Sequence, residues 1–152
     1  ERQLTLDAPL LEQKNQRLVK DLTPGIVVIG DASLLGRVAG NLLSNASLYS
    51  PEGAEVRVWC GLLDGRPALT VENTGVHISE DALPHLFEAF YREETSRNRA
   101  TGGSGLGLYL VKMILARHGA ECTIENTEDG VRAAVRFETD AVSGLAAGNM
   151  IG

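Results

Sequence analysis

The sequence predicts an α+β fold, a two-layer α/β sandwich in which a mixed, mostly antiparallel sheet carries helices on one face. Three observations point there. Two pairs of strand-like runs flank Asp64-Gly65 and Asp129-Gly130, dipeptides suited to tight hairpins. The segment from 32 to about 48 repeats its apolar residues at helical spacing. A second helical pattern, 106–118, stops at Gly119, a residue suited to the position after a helix end.

In chain order, residues 9–14 are expected to form a short helix. "QRLVKDL" and "IVVIG", separated by Thr23-Pro24-Gly25, read as two strands joined by a turn. Asp31 is an N-cap residue type in front of the first long helix. "EVRVWCGLL" and "RPALTVEN" form the first hairpin. Ser79, followed by Glu80 and Asp81, begins a short helix to about 90, its acidic first turn matching the helix dipole. Residues 92–105 are polar and glycine-ended, which predicts a long mobile loop. "ECTIENT" and "VRAAVRFET" form the second hairpin, and the small, weakly patterned residues 141–152 are expected to fray. No repeat or low-complexity linker divides the chain. The expected organisation is a lead-in at 1–15, one domain at 16–140 and a tail at 141–152.

With 152 residues, 43% of them hydrophobic and 22% charged, the chain can bury one core. A net charge of −6 argues against a nucleic-acid partner, since phosphate-backbone binding needs clustered Lys and Arg. Such residues cluster only modestly, between Arg92 and Arg99. Cys60 and Cys122 lie in apolar or strand-like runs and read as buried free thiols, not as a disulfide framework or metal set. No run approaches the roughly 18 apolar residues of a membrane span, and the first residues lack a signal peptide's layout. The segment is expected to be cytoplasmic, without direct membrane contact.

Function begins to show in "LLGRVAGNLLSNASLY". Leu35, Val38, Ala39, Leu42, Leu43 and Ala46 form one apolar arc, with Arg37, Asn41, Ser44 and Asn45 opposite. Asn41 and Asn45, one turn apart, share a face. Asparagine is a mediocre helix former, so a stacked pair reads either as solvated amides or as a functional stripe. An amide oxygen is a hard, neutral ligand suited to Mg²⁺. Tyr49, a turn further on, reads as a cap residue or as a ring for stacking. Asn73 and Gly75 in "TVENTGVHI" place a polar side chain beside a residue that allows close backbone approach, as a simple turn or an adenine site would.

Phe87, Phe90 and Tyr91 are expected to anchor the following loop in the core, where Arg92, Arg97 and Arg99 offer forked cations suited to phosphate oxygens. In "TGGSGLGLYLVKMILARHG", glycines bring backbone N–H groups to a helix start, where anions are favoured. Neither common phosphate fingerprint fits. Leu108 and Tyr109 follow Gly107 where a P-loop has Lys and Ser or Thr, and Gly103, Gly105 and Gly107 are spaced G-x-G-x-G.

The ordered set "NLLSNASLYSPEG", "VENTGVHI", "LFEAFYR" and "TGGSGLGLYLVK" resembles the ATP-binding catalytic domain of bacterial sensor histidine kinases, in the GHKL superfamily, over about 16–137. That resemblance implies the Bergerat-type fold and a site for ATP and Mg²⁺. It implies that Asn41 and Asn45 serve the metal and phosphates, that Tyr49 lies near the adenine, and that Asn73 replaces the usual adenine-reading aspartate. Gly75 would lie against the base. Ile78, Tyr91, Arg92, Gly103, Ser104, Gly105, Leu106 and Gly107 would complete the nucleotide site. Asn45 and Arg97 would be the catalytic pair, Arg97 acting from the lid formed by 92–102.

Three departures from the pattern are Asn73 for aspartate, which removes charge assistance, His77 for a second glycine, and Leu48 for a basic residue. Asparagine at this place also resembles sensors of the vancomycin-resistance type. Hydrolytic members carry a glutamate four residues before the first asparagine; here it is Arg37, which favours transfer to another nucleophile. His77, His85 and His118 do not stand in a phosphoacceptor context. The implied acceptor is a histidine on a separate helical dimerisation domain, with a response regulator downstream and a full-length protein anchored in the inner membrane. A degenerate, non-catalytic module of the same fold and an anti-sigma-type serine kinase are the alternatives.

Overall fold

A computed structural model of the chain describes residues 11–91 and 106–138, and 150–151 as backbone. After a helical turn at 11–13 come β1 (Arg17–Leu22), β2 (Val28–Ile29), α1 (Ala32–Tyr49), β3 (Glu55–Leu63) and β4 (Arg66–Thr74). A single 3-10 turn (Leu83–His85), α2 (Gly107–Ala116), β5 (Ala120–Asn126), β6 (Gly130–Phe137) and β7 (Met150–Ile151) follow.

The main sheet has the order β1-β3-β4-β6-β5. Its β1–β3 pair is parallel, running from Arg17 opposite Glu55 to Leu22 opposite Cys60, and the other pairs are antiparallel. A parallel pair needs a crossover, and α1 supplies it. Asp64 and Gly65 have φ of 53° and 78°, the left-handed pair that a tight two-residue hairpin demands. Inward-facing Val56, Val58, Val71 and Val135 pack against Leu35, Val38, Leu42, Leu43 and Ala46 of α1 and Val111, Ile114 and Leu115 of α2. The expected apolar arc of α1 is therefore the buried face, with Ala39 half-buried at its margin.

Several local expectations change. β2 does not pair with β1. Pro24 lacks a ladder donor, Gly25 turns the chain at a φ of 82°, and the two residues of β2 pair with β7 instead. Met150 and Ile151, in the tail expected to fray, are thus strand. The helix expected from Ser79 to about 90 shrinks to the turn at Leu83–His85. Pro84 has no N–H for a helical bond, so the backbone closes three-residue steps, Ala82 to Ser79, His85 to Ala82, Glu88 to His85 and Tyr91 to Glu88. Phe90 breaks this run with a φ of 65° and is 71% exposed, so it does not anchor the loop in the core; Phe87 and Tyr91 are half-buried. Cys60 and Cys122 are free but only half-buried, and burial pushes both thiols up, Cys122 to about 12.

Candidate functional site

α1 is set at its start by Asp31, whose carboxylate accepts from the Leu34 N–H at 3.0 Å. The helix packs against both β4 and α2. Asn41 and Asn45 point at the first residue of α2. The Asn41 amide donates to the Gly107 carbonyl at 3.2 Å. A Cβ on Gly107 would lie 3.9 Å from Asn45 Oδ1. Asn45 itself makes no side-chain hydrogen bond among the described residues, which leaves its amide oxygen available. Leu106 caps the start of α2, its carbonyl accepting from Leu110 N at 2.9 Å.

The second wall is built at the end of β4. Asn73 lies on the core-facing side, opposite Val56 of β3 and Val131 of β6. Only 7% of it is exposed, and its side-chain amide has no hydrogen-bond partner among the described residues. A buried amide left unpaired costs about 1–3 kcal/mol, and no described residue offsets that cost. Gly130 lets β6 approach here, because a Cβ on it would fall 1.7 Å from the Asn73 carbonyl oxygen.

Gly75 has a φ of +89°, and a Cβ there would meet Pro51 Cγ at 2.7 Å. The segment that follows is clamped to the β5–β6 turn. Gly75 N–H donates to Asp129 O at 3.0 Å, and Asn126 brackets the Ile78 backbone with two bonds of 2.8 Å. The His77 ring lies 2.9 Å from Thr127 O of that same turn. Tyr49, 40% exposed, ends α1 just before Ser50 and Pro51.

Asn41, Asn45 and Gly107 are thus brought together, while Tyr49, Asn73, Gly75 and Ile78 stand around the α1 end and the β4 end. Tyr91 is half-buried, its ring 5.4 Å from that of His85. Arg92, Arg97, Gly103, Ser104 and Gly105, with the whole expected lid, lie outside the described residues. No group of three or more His, Cys, Asp or Glu among the described residues could hold a metal ion. The shifted carboxylates, Glu55 and Asp129, belong to an ion-pair ladder on the outer face of the sheet, where the Arg57 guanidinium holds both below the usual range. Sequence reasoning missed Lys14, Gln16, Ser47, Pro51, Asn126 and Gly130. Their roles depend on partners far along the chain and leave no local pattern.

Comparisons with known proteins identify the family and the fold. The family model described as "Histidine kinase-, DNA gyrase B-, and HSP90-like ATPase" matches residues 30–142, well over half of the chain. The sensor protein VanSB of Enterococcus faecalis is 41% identical over 122 residues, covering 80% of this chain and 27% of that protein. The sensor histidine kinase CusS of Escherichia coli is 42% identical over 105 residues, covering 69% of this chain and 22% of that protein. The chain therefore spans about a quarter of the length of these relatives. Among solved structures, the mycobacterial sensor histidine kinase MprB superposes with a TM-score of 0.79 at 28% identity, covering 93% of each chain. The catalytic domain of the histidine kinase ThkA shares the fold, with a TM-score of 0.78 at 22% identity over 90% of this chain and 88% of that one. No helix among the described residues is long and apolar enough to cross a membrane. The chain belongs to the histidine kinase-, DNA gyrase B- and HSP90-like ATPase family, and as a domain of the type that sensor histidine kinases carry it is built to bind ATP.

Proposed function

We propose that this chain is the catalytic domain of a sensor histidine kinase, holding Mg-ATP and presenting the γ-phosphate to a histidine on a separate helical dimerisation domain. The observation that carries this reading is the buried amide of Asn73, without a partner among the described residues, beside the glycine at 75. Its oxygen can accept from the exocyclic amine of adenine, while Gly75 lets the flat base approach the backbone. Asn45 and Asn41 then face the triphosphate, with Gly107 at the start of α2 opposite them.

Asn45, with its amide oxygen unengaged, would hold Mg²⁺, and Asn41 would support it; the metal neutralises phosphate charge when bound. Arg92 and Arg97 would close on the phosphates, and Tyr91, Gly103, Ser104, Gly105 and Leu106 would complete the enclosure. Rate enhancement comes from positioning and charge neutralisation, because phosphoryl transfer asks little covalent chemistry of the protein. Arg37, where hydrolytic relatives place a base, is exposed and cannot activate water.

The three histidines are engaged in internal contacts. His77 meets Thr127 O, and His85 meets Glu88 at 2.6 Å. His118 accepts from Asp31 N–H at 3.1 Å and lies 2.8 Å from Ile114 O. The acceptor histidine is accordingly assigned to the dimerisation domain, the next carrier to a response regulator, and the catalytic unit to residues 16–140 on the cytoplasmic side of an anchored protein. ThkA has been solved in complex with the response regulator TrrA, which supports such a partner. Incubating the chain with ATP, Mg²⁺ and a separately produced acceptor helix pair should give acid-labile, base-stable phosphohistidine on the helices. Failure to form any, with nucleotide bound, overturns the kinase reading.

A further inference from the structure

At its end α1 caps only one of its own carbonyls, the Ser50 hydroxyl donating to Ala46 O at 2.5 Å. Its last turn holds no basic residue, and the C-cap Ser50 is extended instead of left-handed. The carbonyls a helix leaves open at this end must find donors elsewhere. They find them some thirty residues earlier in the chain. Lys14 Nζ donates to the carbonyls of Ser47 at 2.7 Å, Leu48 at 3.2 Å and Ser50 at 2.7 Å. Gln16, only 7% exposed, sends its amide N–H groups to Ser47 O, Ser50 O and Pro51 O at 3.0, 3.2 and 3.3 Å. Its oxygen accepts from the fully buried Ser47 hydroxyl at 2.6 Å. The two backbones are fastened as well, Gly53 N–H to Lys14 O at 3.0 Å and Arg17 N–H to Ala54 O at 2.9 Å.

The residues so held are those that shape the base side of the site. Tyr49 lies between the clasped carbonyls of Leu48 and Ser50, and Pro51 sits against Gly75. A positive side chain at a helix C-terminus is favoured by the dipole, and here it is aimed at three carbonyls at once. We propose that Lys14 and Gln16 are positioning residues for the adenine, acting through the α1 end and Pro51 to fix the wall formed by Tyr49, Gly75 and Asn73. The inference rests on the nucleotide reading above. Because both residues precede β1, displacement of the segment leading into the sheet loosens that wall, which couples the chain upstream of the domain to its grip on the base.

The test is a titration of ATP and of GTP into the chain and into its Lys14→Met, Gln16→Leu and Asp31→Ala variants, each checked for folding by circular dichroism. Lys14→Met and Gln16→Leu should weaken ATP about tenfold while GTP, held chiefly by its phosphates, changes little, so the preference for ATP collapses. Asp31→Ala weakens the same helix at its other end and should leave that preference intact. Folded variants with the parent's ATP preference overturn the inference. Should Gln16→Leu not fold, the partly buried Lys14→Met decides alone. A parent chain that binds ATP with unchanged preference in the variants defeats only this inference. A parent chain that binds no ATP defeats the nucleotide reading and the inference with it.

Discussion

Asn73 is costly to the fold, and in the proposed site it is the residue that reads the adenine. Its amide is buried without a partner among the described residues, so replacing it with an apolar residue of similar size removes a penalty instead of a bond. Asn73→Leu should therefore melt at the same temperature as the parent or above it, by up to ~1 kcal/mol in stability, and lose at least about tenfold in ATP affinity. Thermal denaturation and calorimetry on one preparation check both halves. A variant that loses stability and keeps ATP would make Asn73 an ordinary structural amide. Gly75 is the opposite case, since both its φ of +89° and the 2.7 Å approach to Pro51 exclude a side chain. Gly75→Ala should cost about 1–3 kcal/mol in urea denaturation, whatever it does to nucleotide.

At the scale of elements, the two faces of the sheet do different work. The inner face is apolar and ends in Asn73. The outer face carries charges from all five strands, Arg17, Glu55 and Arg57, Glu72, Arg132 and Glu125, with Asp129 in the adjoining turn. The Arg57 guanidinium holds Glu55 and Asp129 below the ordinary carboxylate range, Arg17 adding to the effect on Glu55. A carboxylate depressed in the folded state contributes stability that is complete above its unfolded pKa, about 4.3 for Glu and 3.9 for Asp, and is lost as pH falls through the folded value. The melting temperature should hold steady from neutral pH to about 5 and then drop below about pH 4. Arg57→Gln should shrink that acid-dependent part, as should high salt. An unchanged acid profile in Arg57→Gln would show that the ladder contributes nothing to the transition.

Across the whole molecule, most of the fold was legible because its signals are local. Asp64-Gly65 marked the first hairpin through its left-handed backbone, Asp129-Gly130 marked the second although neither residue takes a positive φ, and the 3.6-residue period of α1 located its buried face. The asparagine stripe, at 41 and 45, was legible for the same reason, and it faces the glycine at 107. Long-range relations were not. The sequence of β2 looks like a partner for β1, yet its pairing depends on β7 more than a hundred residues away. Pro84 outweighed the acidic start at 79–81, leaving a chain of tight turns that carries Phe90 outward. The Lys14 and Gln16 clasp exists only because β1 lies parallel to β3 across a helix, which no short window of sequence can reveal.

The proposed site holds its nucleotide between the α1 asparagines and the end of β4. Calorimetric titration of ATP into the chain, with Mg²⁺ and again with the metal chelated, addresses that claim most directly. One ATP should bind per chain, more weakly without Mg²⁺, and Asn73→Leu should abolish the heat while remaining folded. No binding at millimolar ATP by a folded chain, or binding indifferent to both Asn73 and the metal, would contradict it.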